Sequence, residues 1–155
     1  MKKVMNRKYV YINDILYKLY VNYDYNQGGE YYTIELLDKN NSNIKGWTKD
    51  RYGRWLKDIN KEEIEYAFNC RTYCMFNGIR CWVNSELEDG RVWLMALIDI
   101  RDKEEVKKVL KLGFKKDETG DPRDPGTYSG AFDKDELSEF IYEKKAIPGL
   151  PFKEE

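Results

Sequence analysis

Histidine is absent from this chain. Its absence removes the commonest general base, the commonest metal ligand and the usual partner of a nucleophilic serine or cysteine. Cysteine is scarce as well, with only Cys70, Cys74 and Cys81. The start "MKKVMNRKYVYIND" has neither the apolar stretch nor the cleavage site of a secretory signal, so an odd cysteine count points to reduced, buried thiols rather than a disulfide framework. Those residues fall short of the four Cys or His ligands of a structural zinc site. Long apolar runs are missing: the longest, "VWLMALI" from Val92 to Ile98, has seven residues, whereas a membrane-spanning helix takes about 20. Charge of one sign is missing too. With 27 basic and 28 acidic residues the net charge is -1, and no global field steers the chain toward nucleic acid or an anionic membrane. Together these absences predict a soluble, cytoplasmic protein with no membrane partner, no metal and no cofactor.

What is present suffices for a folded body. Apolar residues make up 41% of the 155 and charged residues 35%, with a mean hydropathy of -0.80. That balance fits a single domain spanning residues 1–155.

The order of short motifs suggests an internal duplication. "INDILYKLYVN" resembles "FNGIRCWVN", with Asn13 and Ile15 matching Asn77 and Ile79. "GEYYTIELLD" (Gly29 to Asp38) aligns without a gap with "GRVWLMALID" (Gly90 to Asp99), each after a hairpin turn signal, "NQGG" or "EDG". "KGWTKD" then matches "LGFKKD", pairing Gly46 and Trp47 with Gly113 and Phe114. Finally "NKEEIEYAFNC" matches "DKDELSEFIYE". Asn60 and Asp133 are N-caps, Glu63 and Glu136 complete capping boxes, and Ile59/Ile64 and Phe132/Leu137 form staples. Apolar spacing after each box, Ile64, Ala67 and Phe68 or Leu137, Phe140 and Ile141, predicts a helix of two to three turns. A third box at Asp102 predicts a helix to about Leu112, with Val106, Val109 and Leu110 inward and Gly113 as its stop.

The expected fold class is therefore α+β: antiparallel sheets with short helices, in two pseudo-repeated β-β-(α)-β-β-α halves, approximately residues 9–74 and 75–147, forming one compact body. Pro148 and Pro151 leave residues 148–155 as an extended tail.

No catalytic constellation is legible. Cys70 and Cys74 do not sit at a predicted helix N-terminus, where a thiolate would be stabilised. "NQGGE" and "TGDPRDPG" lack the glycine spacing and lysine of a phosphate loop. "DETGDPRD" gathers Asp117, Glu118, Asp121 and Asp124, but without the ligand pattern of a calcium loop. Catalytic and metal-ligating residues are thus expected to be none.

Aromatics, at 15% of the chain, point instead to binding. "KGWTKDRYGRWLKD" sets aromatic rings among basic groups, and Trp, Tyr and Arg dominate interface energetics. Trp47 aligns with Phe114 and reads as core, which leaves Arg51, Tyr52, Arg54 and Trp55 as partner-binding candidates. A second, acidic set comprises Glu86, Glu88 and Asp89 at a hairpin tip, with Asp117, Glu118, Asp121 and Asp124 in the later loop. If the two converge, they make a negative patch for a basic partner.

The run of "FNGIRCWV", an apolar strand ending in Asp, "LGFKKD", an aromatic strand and "DELSEFIYEKKAIPGLPF" resembles the small bacterial immunity proteins of polymorphic or contact-dependent toxin systems. The resemblance covers most of the chain and rests on no diagnostic motif, so no residue carries over by match. It implies a non-catalytic cytoplasmic α+β protein that binds a cognate toxin domain and occludes its active site. The alternative is a nucleic-acid-associated or phage-related regulatory protein using the Arg/Tyr/Trp surface. The even charge balance makes nucleic acid the less expected partner. Oligomeric state is open.

Overall fold

A computed structural model describes residues 2–37, 45–117 and 126–153. The chain divides into two compact units, each drawn from separated segments. The first comprises Arg7–Cys70 with Lys144–Glu155, and the second Met1–Asn6 with Arg71–Glu143.

The first unit holds β1 (Lys8–Ile12), β2 (Ile15–Asp24), β3 (Gly29–Leu36), β4 (Thr48–Lys49), β5 (Trp55–Ile59) and the beginning of β6 (Tyr66–Phe76). They lie in the order β4-β5-β3-β2-β1-β6, and every neighbouring pair is antiparallel. Asn13 and Asp14, with φ of 51° and 62°, make the tight turn between β1 and β2. Alternation along the strands separates two faces. Leu19 lies opposite Ile34 and Val10 opposite Ala67, and these four are buried with Tyr32, Ile59 and Ile64. Lys18 and Tyr20 oppose Glu35 and Thr33 on the other, polar face.

The tail completes this core. Ile147 and Leu150 are buried in it, and the Pro151 carbonyl accepts from the Ala67 N–H at 2.8 Å. A turn interrupts the expected extended path, with Leu150 N–H donating to the Ile147 carbonyl at 3.1 Å.

The second unit holds the rest of β6, then β7 (Ile79–Glu86), β8 (Val92–Ala96), α1 (Lys103–Leu112), β9 (Lys115–Asp117), β10 (Thr127–Phe132) and the start of β11 (Ile141–Ala146). The order is β6-β7-β8-β10-β9, and β11 pairs with β6. Asp102 caps α1 by accepting from the amides of Glu104 at 3.0 Å and Glu105 at 3.4 Å. Gly113 ends it at a left-handed φ of 107°, where a side chain is disfavoured. Val109, Phe76, Phe114 and Phe132 are buried in one cluster, the three rings 4.7 to 6.0 Å apart. Leu110 does not turn inward as expected and is 50% exposed, while Val106 is only partly buried. A hundred degrees per residue carries Leu110 past the buried stripe that Val109 occupies.

Two expected helices are absent. The Asn60 box forms, with the Glu63 carboxylate accepting from the Asn60 N–H at 2.7 Å, but it encloses one 3-10 turn, Lys61–Glu63, before β6. At Asp133 the expected box does not form, and only the 3-10 turn Lys134–Glu136 precedes β11. In β6 both faces are buried over much of its length, Ala67 and Phe68 in sequence and then Thr72, Tyr73 and Cys74. Such a run has no clean period of two, and its apolar spacing imitates a helix. Among the described residues the fold is thus mostly antiparallel sheet with one α-helix and two 3-10 turns, α+β in class.

Candidate functional site

Sequence chemistry at the β4–β5 turn is unusually specific. In "DRYGR" an aspartate precedes a glycine by three residues, the signature of a side chain that folds back on its own backbone. Asp50 Oδ1 accepts from the amides of Tyr52 and Arg54, both at 2.9 Å, and Oδ2 accepts from Arg54 Nε at 2.7 Å. Gly53 supplies the left-handed φ of 81° that closes the turn. Partial desolvation opposes the Asp50 charge, but the hydrogen bonds from Arg54 and Tyr52 outweigh it and hold the carboxyl below the usual aspartate range.

Arg54 continues the network onto the polar face. Its Nη1 donates to the Tyr20 hydroxyl at 3.2 Å, and that hydroxyl donates to Glu35 Oε1 at 2.6 Å. Beside this chain Asn22 donates to Thr33 Oγ1 at 3.1 Å, and Thr33 donates to Asp58 Oδ1 at 2.8 Å. The polar face frames an open depression of about 490 Å³ lined by Tyr20, Asn22, Tyr31, Thr33, Arg54 and Asp58 among others.

Cations lie over rings throughout. Tyr52 is 68% exposed, with Arg51 at 4.8 Å and Arg54 at 5.6 Å from its centroid. Lys49 lies 5.8 Å from the half-buried Trp55, and Lys57 6.0 Å from Trp47. Trp47 packs against the core beside Tyr17, as its reading as core requires. Arg51, Tyr52, Arg54 and Trp55 are therefore brought together on one hairpin. Tyr20, Glu35, Asp50 and Asp58 gather with Arg54 on the polar side and escaped the sequence reading, whereas register turns Trp55 to the face of Lys57 and Ile59. Asp50 was recoverable from the turn signature, but Tyr20 and Glu35 meet it only through the β2–β3 register.

The acidic candidates behave differently. Glu86 pairs with Lys134 at 2.8 Å, and Asp89 with Arg91 at 2.8 Å. Bonds from the Arg91 amide and guanidinium hold Asp89 below the usual range despite some desolvation. Glu88 is exposed. Asp117 accepts from Ser129 Oγ at 2.7 Å and Thr127 Oγ1 at 3.1 Å, across the β9–β10 pair. Register separates it from the hairpin tip: Glu86 aligns through Val92 with Phe132, whereas Asp117 faces Thr127 at the other end of β10. At about 3.4 Å per residue that is roughly 17 Å. Glu118, Asp121 and Asp124 lie outside the described residues.

Cys70, Cys74 and Cys81 are free and buried. Burial raises Cys70, and a hydrogen bond shared with Cys74, its cross-strand partner, pushes Cys81 far up. Among the described residues no group of three or more potential metal ligands converges, and no helix is long and apolar enough to cross a membrane. The chain matches no family model, no curated protein and no solved structure.

Proposed function

We propose that this chain is a non-catalytic cytoplasmic binding protein, most specifically an immunity protein that binds a cognate bacterial toxin domain and occludes its active site. The observation that carries this reading is the β4–β5 hairpin, where Tyr52 stands exposed between two guanidiniums while Asp50 locks the turn beneath it. Exposed Tyr and Arg held in place lose little freedom on binding, and such residues contribute most to interface energies. Carboxylates tuned for proton transfer are raised toward neutrality, whereas Asp50, Asp89 and Asp99 are lowered. Buried free thiols fit a binding role in the same way.

The two halves, approximately residues 9–74 and 75–147, are on this reading copies of one unit. Support comes from matching strand order, β4-β5-β3-β2 against β9-β10-β8-β7, and from the 3-10 turn that follows β5 in one and β10 in the other.

The test is to express the product of the neighbouring reading frame with and without this chain. Toxicity relieved by the chain, with a stable one-to-one complex, is the expected result. A harmless neighbour that forms no complex would overturn the proposal.

A further inference from the structure

Register puts one set of polar side chains on a single face of the first unit's sheet. Tyr20 opposes Thr33, Asn22 opposes Tyr31, Thr33 opposes Asp58, and Leu56 opposes both Glu35 and Thr48. With Arg54 at the adjoining turn they frame the open depression of about 490 Å³, whose lining holds one aliphatic side chain, Leu56. Its surroundings carry no cationic excess: Lys18 stands opposite Glu35, Arg54 pairs with Asp50, and Asp58 remains. Internal bonds fix the polar groups without saturating them. Asn22 gives one N–H to Thr33, and Thr33 gives its proton to Asp58 Oδ1. Asn22 Oδ1, Asp58 Oδ2, the Thr48 hydroxyl and Arg54 Nη2 have no partner among the described residues. Lys18 and Arg54 lie 5.4 and 5.7 Å from the centroid of Tyr20. Tyr31 is different: it is 48% exposed, and no cation or second ring covers it among the described residues.

We propose that this depression binds an uncharged oligosaccharide, one pyranose ring stacked on Tyr31 and its hydroxyls bonded to Asn22, Asp58 and Arg54. The unsaturated groups select the ligand. A carboxylate oxygen and an amide carbonyl only accept, a guanidinium only donates, and the Thr48 hydroxyl does both. A ligand hydroxyl also donates and accepts, so adjacent hydroxyls of one sugar ring serve all of these groups. The C–H groups on the flat side of that ring suit the negative face of a tyrosine. An anion is disfavoured, because Glu35, Asp50 and Asp58 outnumber Lys18 and Arg54 around the depression. A protein anchor is disfavoured as well, because interface cores are apolar and poor in charge and only Leu56 offers aliphatic surface. The bonds linking Asn22, Thr33 and Asp58 order those groups before binding and so lower its entropic cost. The site goes beyond the toxin reading and does not depend on it.

The isotope-labelled full chain is titrated with cellohexaose, chitohexaose, maltohexaose and mannohexaose, each to about 10 mM, and with hexagalacturonate as their anionic counterpart. At least one neutral sugar should shift the amide resonances of Asn22, Tyr31, Thr33 and Asp58, with a Kd of about 1 mM or below. Tyr31→Ala should weaken that binding about ten-fold, and Tyr31→Phe, which keeps the ring, by no more than about two-fold. Asp58→Asn, which replaces a charged acceptor by a neutral one, should weaken it about five-fold. Circular dichroism and melting behaviour qualify each variant, and neither exposed position is expected to disturb the fold. Ribonuclease B, which carries an oligomannose chain, is compared with ribonuclease A, which carries none. Shifts from the free sugars assign a free ligand, shifts from ribonuclease B alone assign a protein-borne one, and either result supports the site. No shift from any neutral sugar or from ribonuclease B overturns the proposal. So does binding that Tyr31→Ala leaves unchanged, or tighter binding of hexagalacturonate than of every neutral sugar. The neighbouring gene product enters none of these measurements, so the toxin reading stands or falls by its own complex.

Discussion

Asp50 and Tyr52 are two residues apart and do opposite work. Asp50 has a folded-state pKa below its ordinary value, so the stabilisation it gives is fully present above that ordinary value and is lost as pH falls through the depressed one. A carboxyl-carbon NMR titration should place its midpoint below about 3.9; a midpoint at or above that value would contradict the hydrogen-bonded turn. Asp50→Asn should speed amide exchange at Tyr52 and Arg54, whose N–H groups its carboxylate receives. Tyr52 supports nothing beneath it. Tyr52→Ala should change the free energy of unfolding by no more than about 0.5 kcal/mol, as read by urea titration, yet weaken the complex with the neighbouring gene product. A large loss of stability would assign Tyr52 to the core instead. At this scale the sequence was informative because turn chemistry is local: an Asx-type turn and its basic, aromatic neighbours can be seen in five consecutive letters. Tyr20 and Glu35 could not be seen that way, since they join Arg54 only after two strands have paired.

Elements were legible where their signals were also local. The Asp102 cap and the Gly113 stop bracket α1 as expected, because both ends depend on neighbouring backbone alone. Gly113→Ala should cost about 1 to 2 kcal/mol, since an L residue is strained at that left-handed φ. Phe132 lies 3.6 Å from where the new methyl would stand, which is ordinary contact and adds little. Phe114→Ala should cost more, about 3 to 5 kcal/mol, because it empties the centre of the ring cluster beneath α1. Urea titration of the two variants checks both values and their ranking. The box signatures at Asn60 and Asp133, of which only the first forms a box, misled for an instructive reason. A capping box satisfies the first amides of any helical turn, including a single 3-10 turn, and says nothing about continuation. Continuation was decided by β6 and β11 finding partners distant in sequence, with Tyr9 opposite Phe68 as one case. Apolar spacing alone could not reveal that pairing.

At the scale of the whole chain, unit membership departs from sequence order. Residues 1–6 belong with Arg71–Glu143, while Arg7–Cys70 are completed by the segment from Lys144 onward. Leu150→Ala should therefore act far from its own neighbours in sequence. It should cost about 2 to 5 kcal/mol and speed amide exchange in β1 and β2, whose Val10 and Leu19 share its core; undisturbed exchange there would contradict the packing. The sequence could not show this exchange of end segments, because no local signal tells an extended tail which core it will enter. The exchange constrains vectorial synthesis. Strands β1 to β5 leave the ribosome first, yet their hydrophobic face stays open until Ile147 and Leu150 have also emerged. Nascent chains stalled at residue 146 should accordingly be cleaved by protease within residues 7–70, and chains released past residue 153 should resist it.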